Sequence, residues 1–164
     1  MAWVDPTTPN LADYQTWLYT VVAGQAGLTQ KILPPASEVI QATLDTAQAI
    51  VADQLTCASA SAPTTTLTVY VQAVYNLATD QLFNWASDVA GQTYFSSKRK
   101  DWNIFTLSVG VASQASDQGT AVGILNPEQM RLFTLQDLQT LKTPWGRRYM
   151  AYAQMYGRSL WGLS

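Results

Sequence analysis

Few side chains in this sequence can do chemistry, and the ones it lacks narrow the field first. There is no histidine among the 164 residues, which removes the commonest general base near neutral pH, the commonest metal ligand and every His-dependent triad. The one cysteine, Cys57, can close no disulfide within the chain and no thiol metal cluster. Beside Ala58 and Ala60 it reads as a small apolar residue. Neither of the Gly-rich phosphate-binding loops, the P-loop or the dinucleotide fingerprint, is present, so no cofactor is expected. Ser96, Ser97 and Lys98 spell a Ser/Lys dyad, in which a lysine discharged by burial would activate a hydroxyl. Arg99 and Lys100 follow at once, and a solvated basic turn is the better reading. Asp80, Asp88 and Asp117 are the acids a carboxylate mechanism would draw on, yet no spacing makes them converge, so they are expected as surface acids.

Two stretches suit recognition better than reaction. Lys98, Arg99 and Lys100 are interleaved with Tyr94, Phe95 and Trp102, a nucleic-acid contact in miniature. Three bases on a chain of pI near 4.8 give weak affinity for nucleic acid, so an acidic protein partner is preferred. The last twenty-two residues, TPWGRRYMAYAQMYGRSLWGLS, hold two Trp, three Tyr and three Arg, the residue types that dominate interface energetics. Leu160, Trp161 and Leu163 form an apolar tail that a free monomer does not leave in water willingly.

The elements that must position these groups are mainly helical. Asn10 and Asp13 open the series Leu11, Tyr14, Leu18, Val21 and Val22, which Gly24 and Gly27 are expected to end. Ser37 caps a second helix with Ile40, Leu44, Ala47 and Val51 inward. Residues 56–66 read as a loop. Apolar residues from Leu67 to Trp85 follow 3.6-residue spacing and predict a central helix ending near Gly91. Residues 92–125 read as a long extended arm or β-hairpin, with Leu107, Val109 and Val111 alternating before a turn-rich stretch. Short helices follow, started by Asn126 with Pro127, by Thr134 with Asp137, and by Thr143 with Pro144. The expected fold is mainly α: a helical bundle of three to five helices in a single domain over 1–157, with the arm at about 92–125 and an extended docking tail at 158–164.

Composition bounds the surface. Hydrophobic residues make up 48 % of the chain and charged residues only 12 %, roughly half the usual share, so much of the surface is neutral polar or covered by other copies. Net charge is −2, unevenly placed: residues 1–90 carry seven acids and Lys31, whereas residues 91–164 carry eight bases and four acids. Such a chain can stack head to tail. MAWVDPTTPN has no basic start or apolar run, and no stretch is long and apolar enough for a membrane span, which predicts a reducing, cytosolic site of assembly.

Taken together, the amphipathic helices ending at Gln54, the central VYVQAVYNLATDQLFNWA, the arm GVASQASDQGTAVGIL and the segment TLQDLQTLKTPWGRRYMAYAQ with its tail resemble a tailed-bacteriophage head-to-tail connector. The resemblance spans most of the chain and lies in architecture, with no short diagnostic motif. It implies a structural protein without enzymatic activity, located in the virion neck and assembled in the host cytoplasm. It further implies a ring of twelve copies beneath a portal protein and above a tail or nozzle protein, enclosing double-stranded DNA without sequence readout. On that resemblance, Leu160, Trp161 and Leu163 anchor to the portal, and Trp145, Arg147, Arg148 and Tyr149 contact the portal or a neighbouring subunit. Lys98, Arg99, Lys100 and Trp102 make arm contacts, and Glu38 and Asp45 face the DNA channel. Another neck protein, a tail terminator or a stopper, shares these traits; a virion-associated lytic enzyme using carboxylates is the catalytic alternative.

Overall fold

The computed structural model describes residues 8–55, 64–106, 114–117, 120–123 and 134–156. Chain order is α1 (Leu11–Trp17), a π-helical turn (Leu18–Val22), α2 (Ala23–Ala26), α3 (Glu38–Gln54), α4 (Thr64–Trp85), α5 (Tyr94–Asp101), β1 (Gln114–Asp117), β2 (Thr120–Gly123), α6 (Leu135–Thr140) and α7 (Pro144–Tyr156). The protein is mainly helical.

Helix starts follow the local chemistry. The Asn10 side chain accepts from the Asp13 amide at 2.9 Å and caps α1. Thr134 and Asp137 form a reciprocal capping box on α6. Ser37 precedes α3 without a side-chain cap bond. The first helix does not end at Gly24: it passes through the π-turn and stops at Gly27, whose φ of +74° lies where a side chain is strained. Gly24 stays helical because Val22 and Ala26 on either side of it are buried and hold that turn down.

The central helix is α4, packed against α3 and α7 and touched by α5. Val71, Ala73, Val74, Tyr75, Ala78, Leu82 and Phe83 along it are all buried, a stripe too wide for one partner. Tyr14 and Trp17 of α1 reach across to Tyr75, whose hydroxyl accepts from the Asn10 amide at 3.1 Å. Burial pushes the Tyr14 hydroxyl up, against the lowering influence of the nearby Thr79 and Thr43 side chains. Polar Thr43 and Thr79 are tolerated there because each donates to a carbonyl of its own helix.

The expected arm at 92–125 is corrected over its first part. Tyr94–Asp101 is a helix, so Lys98, Arg99 and Lys100 sit on a helical turn rather than in a loop. The physical reason is the aromatic spacing: Tyr94, Phe95 and Trp102 all reach Phe83 of α4, which a helix permits and an extended chain does not. Further on, β1 and β2 pair antiparallel with Gln114 opposite Gly123 and Asp117 opposite Thr120. Leu107, Val109 and Val111, Cys57 and the tail residues Leu160, Trp161 and Leu163 lie outside the described residues.

The first turn of α7 packs closely on the backbone at the end of α6 and on an α4 side chain. A Cβ on Gly146 would fall 1.8 Å from the Thr140 carbonyl oxygen and 2.8 Å from the Asp80 carboxylate. Gly146→Ala is therefore expected to destabilise the fold by about 3 kcal/mol or more, the range of an overpacked core position. Chemical denaturation measures this, and a loss under about 0.5 kcal/mol would show that the end of α6 gives way freely to the start of α7.

Candidate functional site

Asp80, Asp88 and Arg99 gather around the C-terminal half of α4, and each is engaged at a helix end. Asp80 is buried and accepts from the Thr143 hydroxyl at 2.5 Å. The same hydroxyl oxygen accepts from the Gly146 amide at 2.9 Å, so Thr143 caps α7 while Asp80 presents a carboxylate to that helix start. Desolvation raises the Asp80 carboxyl from its ordinary 3.8 to about 7, against the lowering effect of the Thr143 bond. Asp80 is thus a core residue and not the surface acid the sequence suggested. Heptad arithmetic placed it on α4 but gave no sign that α7 would cover that turn.

Asp88 caps α5. Its carboxylate accepts from the Phe95 amide at 2.6 Å, from the Ser96 amide at 3.0 Å and from the Ser96 hydroxyl, and these bonds hold its carboxyl below the usual range. The Ser96 hydroxyl of the imagined Ser/Lys dyad is occupied by this cap. Arg99 is buried, and its guanidinium donates to the Phe83 and Asn84 carbonyls at 3.3 and 3.0 Å, closing the C-terminal end of α4. It also lies 5.6 Å from the centre of the Phe105 ring. Of the three consecutive bases, the middle one therefore faces inward; Lys98 sits 5.9 Å from the Trp102 ring and Lys100 is exposed.

Trp145 and Tyr149, expected at a partner contact, are buried within this chain. Trp145 stacks on Phe83 with centroids 4.8 Å apart and planes 4° from parallel, and meets Trp102 edge-on at 5.5 Å. The Tyr149 hydroxyl donates to the Gln54 side chain of α3, and burial pushes it up to about 12. Their anchoring chemistry is spent on joining α7 to the bundle. Arg147 and Arg148 on the same helix are exposed, as are Glu38 and Asp45 on α3, where Asp45 accepts from the Gln41 amide at 2.6 Å.

One group was missed by sequence reasoning. The Lys142 ammonium donates to the carbonyls of Asn103 at 2.8 Å, Ile104 at 3.3 Å and Thr106, and the Gln139 amide adds a bond to Ile104 at 2.6 Å. Asn103 sits at φ +52° where α5 ends, which turns these carbonyls toward α6. A lysine in a helix-to-helix connection carries no local signature of such a role.

Elsewhere, a shallow groove of about 310 Å³ lies along the π-turn between Gln15, Tyr19, Gln30 and Pro35. Two of its polar side chains bond within the chain: Gln15 donates to the Pro35 carbonyl at 2.9 Å and Tyr19 to that of Leu33 at 2.6 Å. Among the described residues no group of three metal-ligating side chains occurs, and no helix is long and apolar enough to cross a membrane. Asp117 lies in β1. No protein-family model, curated protein or solved structure matches the chain.

The buried carboxyl sets a sign for the pH dependence. Asp80 is neutral in both folded and unfolded chains below about 4; as pH rises to about 7 the unfolded chain ionises freely while the folded one resists, so stability falls. Asp80→Asn keeps an acceptor for Thr143 and removes the titration, so it is expected to flatten this slope and to exceed the wild type in stability above pH 7. Denaturant unfolding at pH 5 and pH 8 measures both; equal slopes in the two proteins would refute a strained Asp80.

Proposed function

We propose that this chain is a structural ring subunit, the head-to-tail adaptor of a tailed-bacteriophage neck. The reading is supported first by the described residues on either side of the ribbon in sequence. Lys142 and Gln139 tie the carbonyls of Asn103, Ile104 and Thr106 to the α6 region. Between those segments in sequence lies the β1–β2 ribbon. A two-stranded ribbon is marginal by itself, and it gains most by adding to a neighbouring copy. That single observation, a ribbon flanked in sequence by two segments tied to each other, carries the proposal.

The commitments around α4 point the same way. Asp80 and Asp88, two of the three acids a carboxylate mechanism would draw on, are engaged at helix starts, and Arg99 at a helix end. Polar groups used this way position helices and do not cycle protons. In the adaptor reading, the copies form a ring of twelve around the passage for double-stranded DNA, whose sequence they do not read. Residues 158–164, with Leu160, Trp161 and Leu163, extend from the end of α7 to the portal, and the opposite side of the ring meets the tail or nozzle protein. Arg147 and Arg148 stand exposed on the helix that leads into that segment. Assembly takes place in the host cytoplasm, and the finished ring resides in the virion.

Negative-stain class averages of the full chain, alone and mixed with a portal, are expected to show rings. Deleting residues 158–164 is expected to leave the thermal unfolding transition in place while abolishing attachment to the portal. Monomers in both mixtures would overturn the adaptor reading, and a truncated chain that still binds the portal would remove the tail from it.

A further inference from the structure

Two exposed helix stripes of opposite sign are the strongest unassigned feature. On α3 the buried Ile40, Thr43, Leu44, Ala47 and Val51 mark the inner side. Opposite them lie Glu38, Asp45 and Asp53 with Ala42, Ala49 and Ala52. At 100° per residue these positions fall within about 120° of helix surface and run about 22 Å along it. No base occurs anywhere in α3. On α7 the exposed positions Arg147, Arg148, Ala151, Gln154 and Met155 likewise share one stripe, opposite buried Trp145, Tyr149 and Ala153. No acid occurs in α7.

Resting on the ring reading, we propose that the acidic α3 stripe of one copy docks on the basic α7 stripe of the next. Charge complementarity names the occupant: each stripe is what the other needs, and the alanines between the acids of α3 leave room for the long arginine side chains of α7. Both helices spend their inner sides on α4, so within one copy the stripes face solvent. Using two different patches on each copy makes the contact heterologous, the kind that closes into rings. Exposed Met155 adds apolar area beside the arginines, which matters because exposed ion pairs contribute little singly. The proposal also moves Glu38 and Asp45 from a DNA-facing position to a contact between copies.

The test is a charge exchange in the full chain. One variant carries Glu38→Lys with Asp45→Lys, the other Arg147→Glu with Arg148→Glu; all four side chains are exposed, and circular dichroism melts verify that both variants fold. Each variant alone is expected to need at least about tenfold more protein to assemble, read by mass photometry, and wild-type assembly is expected to weaken as salt is raised. Mixing the two variants allows alternating rings in which junctions of the new lysines with the new glutamates alternate with junctions of the native acidic and arginine stripes, so every junction is complementary and assembly is expected to return. Wild-type rings with both variants assembling normally would overturn this contact and leave the adaptor reading standing, whereas a wild type that never assembles overturns both. Variants that assemble normally but bind duplex DNA more tightly through the new lysines would return the α3 stripe to the channel and overturn the contact. Failure of the mixture to assemble, where each variant alone is blocked, would also overturn it.

Discussion

The seating of α7 on α4 is the constraint from which most of the rest follows. Three features act at one crossing: the Asp80–Thr143 bond, the Phe83–Trp145 stack and the bare Cα of Gly146. The stack places large flat surfaces in contact, which favours close approach. The glycine permits the approach, and the hydroxyl satisfies a carboxylate that would otherwise be stranded in the core. Burying that acid against an uncharged partner weakens the joint as pH rises, so the crossing is held mainly by shape and apolar area, with the polar bond serving to fix register.

Around that crossing, side chains that a sequence reader would set aside for function are used as helix terminators. Arg99 closes α4 at its carbonyl end, and Asp88 opens α5 a few residues later; the two together fold the chain back so that Tyr94 and Phe95 reach Phe83. Charge near a helix terminus is stabilising when its sign opposes that of the exposed backbone groups, and both residues obey that rule. Lys142 also donates to backbone carbonyls, gathering those of Asn103, Ile104 and Thr106 in the turn that follows α5. A chain with few charges has placed several of its charged groups where the backbone is short of partners.

What was legible in the sequence divides along the same line. Helix starts at Asn10, Thr134 and Thr143, and the buried stripe of α4, rest on local patterns within one or two turns, and these the residues announce directly. The helical state of Tyr94–Asp101 was not legible, because its formula, polar and basic with aromatics at the ends, matches a loop until Phe83 is known to lie beneath it. The same holds for Trp145 and Tyr149: composition identifies them as anchors but cannot say whether the anchored surface belongs to this chain or to another. Asp80 and Lys142 depend on contacts across 63 and 36 to 39 residues, a separation no periodicity reaches.

The outward-facing chemistry is what remains once these internal demands are met. With Trp145, Tyr149 and Arg99 buried, the contact proposed between copies draws on Glu38, Asp45 and Asp53 on one helix and Arg147, Arg148 and Met155 on another. An interface of that kind is poor in aromatic hot spots, and its single contacts are weak and screened by salt. A ring suits such a surface, because closure makes every copy hold two neighbours at once, and the second contact forms at high effective concentration. Weak junctions repeated around a closed ring also correct errors during assembly, since a misplaced copy leaves through one poor contact while a complete ring has no free end from which to lose one. On the proposed ring, the low charge and its segregation by sign serve one end: enough electrostatics to set the order of copies, and too little to bind them irreversibly before closure.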